Sequence, residues 1–162
     1  MLMMLDQLTG MPVVWQGRLV GMVEHGVTDA QASQLMGLII RHGLRAAKWV
    51  PSHGIHLIGQ HCVAIAVQPY RLPLKLPQRV CRMYRDDGSL LGVVTDAVLC
   101  AETCQIKALE ISESLLDRFR GQQRYAMEYR IGSETPGGNQ AVASTLFTLA
   151  ELSKRLEERG WI

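Results

Sequence analysis

Two stretches of the chain resemble each other at a fixed separation of 71 residues. Residues 17–40 and 88–111 align without a gap, and nine of their 24 positions are identical. Unrelated segments of ordinary composition would share about one or two residues over this length. The match is clearest in the opening runs, GRLVGMVEHGV and GSLLGVVTDAV. Two copies are too few for a stacked solenoid, so the repeat predicts two related small domains.

The spacing of the shared residues predicts strands. In the first copy the leading matches fall on odd positions only, and a period of two places alternate side chains on one face of a strand. We therefore expect each of two corresponding sets of side chains to share one face: Leu19, Val23 and Val27, and Leu90, Val94 and Val98.

Four glycines recur at matching positions and are predicted to be structural: Gly17, Gly21, Gly88 and Gly92. Gly17 and Gly88 stand in predicted turns. Gly21 and Gly92 stand inside strands, where glycine weakens a sheet unless a bend or a close backbone approach requires it. The tight closure of a small barrel supplies such a requirement.

The predicted fold is all-β, with two small barrels in tandem and a short C-terminal helix. Thr148 and Glu151 have the spacing of a capping box at the start of that helix. Residues 125–131 alternate and are predicted to form the last strand of the second barrel. Copies this small are near the lower size limit for independent stability, so we expect the barrels to pack about a pseudo-two-fold axis. The predicted segments are an N-terminal tail (1–10), a first barrel (11–68), a proline-rich linker (69–78), a second barrel (79–132), a flexible joint (133–143) and the helix (144–162).

Composition narrows the classes of protein. The formal net charge is +2 and aromatic residues make up 6% of the chain, which argues against a surface for binding nucleic acid. No run approaches the roughly 20 apolar residues of a membrane helix, and the opening MLMMLDQL lacks a basic leader. The four cysteines show no disulfide-framework spacing. We expect a cytoplasmic protein with reduced thiols and no membrane span.

The pattern G-x-L-[VL]-G-x-V-x-[HD]-x-V, followed by a polar turn and a strand rich in Leu and Ile, resembles the PRC-barrel family. That family includes the cytoplasmic barrel of the photosynthetic reaction-centre H subunit and the C-terminal domain of the RimM-type ribosome maturation factor. The resemblance covers roughly residues 11–67 and, less fully, 79–131. The second copy has Asp96 where the family often has an aspartate, and the first copy has His25. The resemblance implies six-stranded barrels that dock proteins and share no catalytic residues.

One segment concentrates potential metal ligands. HGIHLIGQHC places three histidines and a cysteine within ten residues: His53, His56, His61 and Cys62. These ligand types bind zinc and other transition metals, but the spacing matches no standard zinc finger. Exposed loop histidines are the alternative interpretation, and no cofactor is predicted.

No motif for catalysis is present. The sequence contains neither a G-x-S-x-G elbow nor a glycine-rich phosphate loop, so we expect a protein that is not an enzyme. A basic patch for RNA is one interpretation of Lys107, Arg118, Arg120 and Arg124. Four acids interrupt it and favour a mixed, solvated face: Glu102, Glu110, Glu113 and Asp117. The single amphipathic helix of the tail is expected to pack on its own domain or on a partner subunit, and no reading of DNA is expected.

These observations leave three functional hypotheses. The first is a non-enzymatic protein-docking or assembly module, with self-association as a homodimer left open. The second is an RNA-linked or ribosome-associated assembly factor, and the third is a histidine-based metal binder. The residues predicted to dock a partner are exposed aromatic and basic groups: Trp15, Trp49, Tyr70, Tyr84 and Arg45.

Overall fold

The computed structural model describes residues 1–114, 116–132 and 139–162. The chain is mostly β, with two sheets that each curl into a half-barrel and a short C-terminal helix. The strands of the first half are β1 (Leu2–Met4), β2 (Pro12–Trp15), β3 (Arg18–Thr28), β4 (Leu35–Arg41), β5 (Lys48–Pro51), β6 (Ile55–Ile58), β7 (Val63–Ile65) and β8 (Tyr70–Arg71). Two short 3-10 helices accompany them, at Leu5–Leu8 and Ser52–Gly54.

The second half repeats the long strands of the first. Its strands are β9 (Val80–Tyr84), β10 (Leu90–Cys100), β11 (Ile106–Ser112), β12 (Arg124–Ala126), β13 (Arg130–Ile131) and β14 (Asn139–Val142). One helical turn, α1 (Asp117–Arg120), precedes β12, and the helix α2 (Leu149–Glu158) ends the chain.

The strands of the described residues pair into two seven-stranded sheets. The first has the order β6-β7-β2-β3-β4-β5-β8, and the second has the order β12-β11-β10-β9-β14-β13 with β1 added to β10. Most pairs are antiparallel, and β2–β7 and β9–β14 are parallel. Among the described residues, the end strands β6 and β8 of the first sheet do not pair with each other. The expected closed barrel is therefore a curled, open sheet.

β3 and β10 contain bulges at positions 71 residues apart. Val20 and Leu91 are skipped in the pairing with β2 and β9, and Glu24 and Thr95 are skipped in the pairing with β4 and β11. Each bulge reverses the face on which the following side chains lie.

The prediction that these side chains share one face in each long strand is therefore wrong. Val23 and Val94 enter the core, whereas Leu19 and Leu90 are 51% and 57% exposed. Val98 lies in a separate apolar cluster with two leucines of α2.

The two inner glycines have the close backbone approach that the sequence predicts. A Cβ built on Gly21 would lie 3.0 Å from the carbonyl oxygen of Arg41, and one on Gly92 would lie 2.7 Å from that of Ser112. The neighbouring strand occupies the space of a side chain at both positions, so glycine is required there.

A reciprocal main-chain contact joins the two halves. It consists of a bridge and two hydrogen bonds: Gln34 with Gln105, the N–H of Leu35 to the oxygen of Cys104 (2.7 Å), and the N–H of Ile106 to the oxygen of Ser33 (2.8 Å). In each pair of corresponding positions the separation is 71 residues, which is the pattern that a local two-fold axis produces. The expected pseudo-two-fold packing is confirmed at this contact.

The first ten residues are not a loose tail. β1 pairs antiparallel with β10, from Leu2 opposite Cys100 to Met4 opposite Val98. The 3-10 helix that follows contacts both β3 and β10, and its Leu8 is fully buried. A single hydrophobic cluster contains Leu8 together with core residues of both sheets. The N-terminal segment therefore connects the two halves through their common core.

Three other predicted segments differ from the structure. The linker begins with β8, which pairs with Lys48 and Trp49 of β5. The single strand expected over residues 125–131 is divided into β12 and β13. Of the predicted joint, residues 133–138 lie outside the described residues, whereas Asn139 to Val142 form β14 beside β9. A flexible joint over residues 139–142 is therefore wrong, because the backbone there completes the second sheet.

The C-terminal helix begins at the predicted cap. The hydroxyl oxygen of Thr148 accepts a hydrogen bond from the N–H of Glu151, and the Glu151 carboxylate accepts one from the N–H of Thr148. Leu152 and Leu156 are buried against Val98 and Tyr125 of the second sheet. In the part of the chain that the structure describes, no helix has the length and hydrophobicity needed to cross a bilayer.

Candidate functional site

A cavity of about 470 Å³ lies between the two halves, and we call it the central cleft. The segments that line it include the 3-10 helix of residues 5–8 with Thr9, the end of β3 with Ala32 in the following turn, the linker with the start of β9, the middle of β10, and Leu109 of β11. Its wall is mainly apolar, with side chains that include Leu5, Val27, Leu76, Val94 and Leu109. The central cleft therefore depends on the assembly of both halves.

Corresponding positions of the two halves meet at the central cleft. His25 and Asp96, which are 71 residues apart, both line it. His25 is exposed, whereas Asp96 is 4% exposed. The second bulge of each long strand lies directly before these residues, at Glu24 and Thr95. The bulges thus position one ionisable side chain from each half at the same cavity.

The carboxylate of Asp96 accepts two main-chain hydrogen bonds. The N–H of Asp6 donates to Oδ1 at 3.1 Å, and the N–H of Ala97 donates to the same oxygen at 2.8 Å. Burial raises the pKa of Asp96 to about 6, although these two hydrogen bonds act in the opposite direction. The nearby negative charges of Asp6 and Glu110 raise it further. Asp96 therefore changes its protonation state near pH 6.

Glu110 lies directly opposite Asp96 in the pairing of β10 with β11, and it is also buried. The hydroxyl of Thr95 donates to one carboxylate oxygen of Glu110 at 2.7 Å, and that of Tyr125 donates to the other at 3.4 Å. The corresponding row of the first sheet contains His25, Ile39 and Trp49. The two halves thus differ chemically at this row, since the second has two buried carboxylates.

The linker covers one side of the central cleft. Leu76 and Pro77 line the cavity and are half-buried. Arg79, which follows them, is exposed and donates to the carbonyl oxygen of Thr95 at 3.3 Å. Among the described residues that line the cavity, the charged side chains are therefore those of Asp6, Asp96 and Arg79.

The residues predicted to dock a partner are not all exposed. Tyr70 and Arg45 are exposed, and Trp15 and Tyr84 are half-buried. Trp49 is 3% exposed, so its selection as an exposed docking residue is wrong. Its ring packs over Gly37, where a Cβ would lie 2.4 Å from a ring carbon.

The predicted metal ligands are not gathered into one site. His53, His56 and His61 are all exposed, and Cys62 is half-buried. The described residues, 1–114, 116–132 and 139–162, contain no group of three or more His, Cys, Asp or Glu side chains that could hold a metal ion.

Sequence reasoning missed the burial of Asp96 and Glu110. Glu110 was expected on a solvated face, but its strand lies between β10 and β12. The available signal was the strand KALEIS, in which a single acid stands among apolar residues. An isolated acid in such a run indicates a buried and hydrogen-bonded carboxylate.

A row of side chains that point away from the core crosses three strands in each half. In the first half the row is Ala64, Val14 and Leu19, and in the second it is Val142, Tyr84 and Leu90. Cross-strand partners share a face of a sheet, so the exposed leucine marks the outward direction of each row. We call these the outer rows. Beside them, Met22 and Val93 are 42% and 47% exposed.

The fold and the cleft define a mostly β protein whose two half-barrel sheets enclose a cavity between them. A comparison with models of known protein families finds no match, and a search of curated proteins finds none.

Proposed function

We propose that this protein is a non-enzymatic docking or assembly module that binds a protein partner through the outer rows. The observation that carries the proposal is the pair of apolar, outward-facing rows at corresponding positions of the two halves. Each row ends in a leucine that is more than half exposed. Contiguous apolar side chains on a surface are typical of protein interaction sites, whereas single exposed ones are ordinary.

Membership of the PRC-barrel family and origin by tandem duplication belong to the same proposal. The bulges and the close-approach glycines recur at a separation of 71 residues, and the reciprocal bridge joins two positions with that same separation. These observations support a common ancestor of the two halves. Six-stranded docking barrels are what the family resemblance implies. The half-barrel sheets are compatible with that resemblance, and Tyr84 of the second outer row remains a docking candidate with Tyr70 and Arg45.

The experiment compares partner recovery between matched surface variants. The double variant Leu19→Lys and Leu90→Lys places charge at the end of both outer rows, and the control Leu44→Lys and Leu74→Lys places it at two fully exposed loop leucines. Each tagged protein is crosslinked in cells and its partners are quantified, and its oligomeric state is measured by light scattering. We expect the partner, or the dimer, to be lost in the first variant and retained in the control.

Two outcomes would contradict the proposal. One is a wild-type protein that is monomeric and recovers no protein above background. The other is equal recovery with both double variants. Sedimentation of the protein with ribosomal particles would instead favour the RNA-associated alternative, and bound metal in the purified protein would favour the histidine-based one. A cytoplasmic location is part of the proposal, since four free cysteines are typical of a reducing compartment.

A further inference from the structure

The central cleft has the dimensions and lining of a site for a small molecule. Its volume of about 470 Å³ falls within the range of ligand pockets, roughly 300–1,000 Å³. Such pockets combine a mainly apolar wall with a few polar groups that orient the ligand. Here the wall includes Val27, Leu76 and Leu109, and the polar groups include Asp6 and Asp96, which are joined by the hydrogen bond from the main-chain N–H of Asp6 to Oδ1 of Asp96.

The acidic residues of the cavity are complementary to a cation. Asp6 and Asp96 line the cavity, and the buried Glu110 lies opposite Asp96 on the neighbouring strand. Arg79 also lines the cavity, and its guanidinium donates to the carbonyl oxygen of Thr95. An opposite charge within about 4–6 Å favours the ionised form of a carboxyl group.

We propose that the central cleft binds a small organic cation, with an ammonium group against Asp96 and an apolar body along Val27, Leu76 and Leu109. This site is separate from the outer rows, so its existence does not depend on the docking function. The ligand class is an alkyl or arylalkyl amine, because the wall offers apolar contact to the body and carboxylate oxygens to the charge.

The proposal predicts a specific dependence on pH. Because the pKa of Asp96 is about 6, protonation of Asp96 competes with the cation, and affinity is expected to fall about tenfold between pH 7.5 and pH 5. The other ionisable groups around Asp96 are Asp6 on the 3-10 helix, Glu110 on β11, His25 on β3 and Arg79 before β9. The variant His25→Gln removes the imidazole from the cavity, so a fall in affinity that persists in this variant is assigned to Asp96.

The experiment uses the full chain and three probes with one apolar body: hexylammonium, hexanol and hexanoate. Binding is followed by amide chemical shifts of residues that line the cavity, with N-acetyl-lysine amide as a fourth probe to represent a partner's side chain. We expect hexylammonium to shift the amides of Asp6, Val27 and Ala97 and to bind at least tenfold more tightly than the other three. Tighter binding of the lysine derivative would contradict a free amine as the ligand.

Three variants separate a site from a general charge effect. Asp96→Asn keeps an oxygen acceptor for both main-chain donors and is expected to weaken hexylammonium at least tenfold. Glu157→Gln removes one exposed charge on α2 and is expected to have no effect. Val27→Phe fills the cavity and is expected to block binding of hexylammonium although Asp96 is unchanged. Equal affinity of Asp96→Asn and Glu157→Gln, or the absence of shifts at the central cleft, would overturn the proposal without affecting the test of the outer rows.

Discussion

The carboxyl group of Asp96 lies where three segments that are distant along the chain meet. Asp6 reaches it from the N-terminal 3-10 helix, Glu110 lies opposite it on β11, and His25 faces the same cavity from β3. The sequence shows only an aspartate in a strand. Its burial, and with it the shift of its pKa, results from the packing of the other segments around it.

The first prediction concerns the pH dependence of stability. The pKa of Asp96 is about 6 in the folded chain, above its ordinary value of 3.8, so the folded state retains a proton that the unfolded state has lost between these values. The contribution of Asp96 to the free energy of unfolding is therefore largest at low pH and is lost as pH rises to about 6, by up to about 3 kcal/mol. We expect Asp96→Asn to lack this loss. Urea unfolding from pH 4 to pH 7.5 measures it.

The control for this prediction is Glu157→Gln on the exposed face of α2. Its free energy of unfolding should follow that of the wild type at every pH. If the difference between Asp96→Asn and the wild type is constant across the same range, the titration of Asp96 is not linked to folding.

At the scale of single elements, local sequence signals determine some features of the fold, and pairing with neighbouring strands determines others. The helix α2 begins at the capping box that local signals predict, because the cap depends on residues close in sequence. The bulges at Val20 and Leu91 are not predictable in this way. Their positions depend on how β3 and β10 pair with β2 and β9. A strict alternation of side chains therefore wrongly placed Leu19 on the same face as Val23, and Leu90 on the same face as Val94.

The second prediction concerns the cap of α2. Thr148→Ala removes the acceptor for the N–H of Glu151, and the loss of such a cap destabilises a helix by about 1 kcal/mol. Amide hydrogen exchange across α2 should accelerate about fivefold, while the amides of β10 and β11 stay unchanged. Thr145→Ala, which changes an exposed threonine before the helix, is the matched control and should change neither. Equal acceleration throughout the second sheet would show that α2 does not open independently.

At the scale of the whole molecule, the two halves share a single core. The N-terminal strand adds to the second sheet, Leu8 is buried in the cluster that contains residues of both sheets, and the hydroxyl of Tyr129 donates to the carbonyl oxygen of Ala32 at 2.5 Å. Each half is small, and burial of apolar surface between them supplies stability that neither sheet provides alone.

The third prediction follows from this common core. Leu8→Ala leaves a cavity between the halves and should lower the free energy of unfolding by about 2–5 kcal/mol. The most protected amides of β3 and those of β10 should exchange faster by one common factor, because the two halves unfold together. Leu44→Ala, at a fully exposed leucine, should leave both unchanged. Faster exchange in one half alone would show that the two sheets are independent domains.

The sequence by itself determined the all-β class of fold, the matching runs of residues in the two halves, the turn and strand glycines and the start of the C-terminal helix. These features depend on contacts within a few residues or on the sequence identity between residues 17–40 and 88–111. Only the tertiary structure decided which side chains the bulges turn outward, the pairing of β1 with β10, and the burial of Asp96 and Glu110 beside the central cleft. The reason is that strand register and burial arise between segments that are tens of residues apart, where a local pattern carries no information about the neighbour.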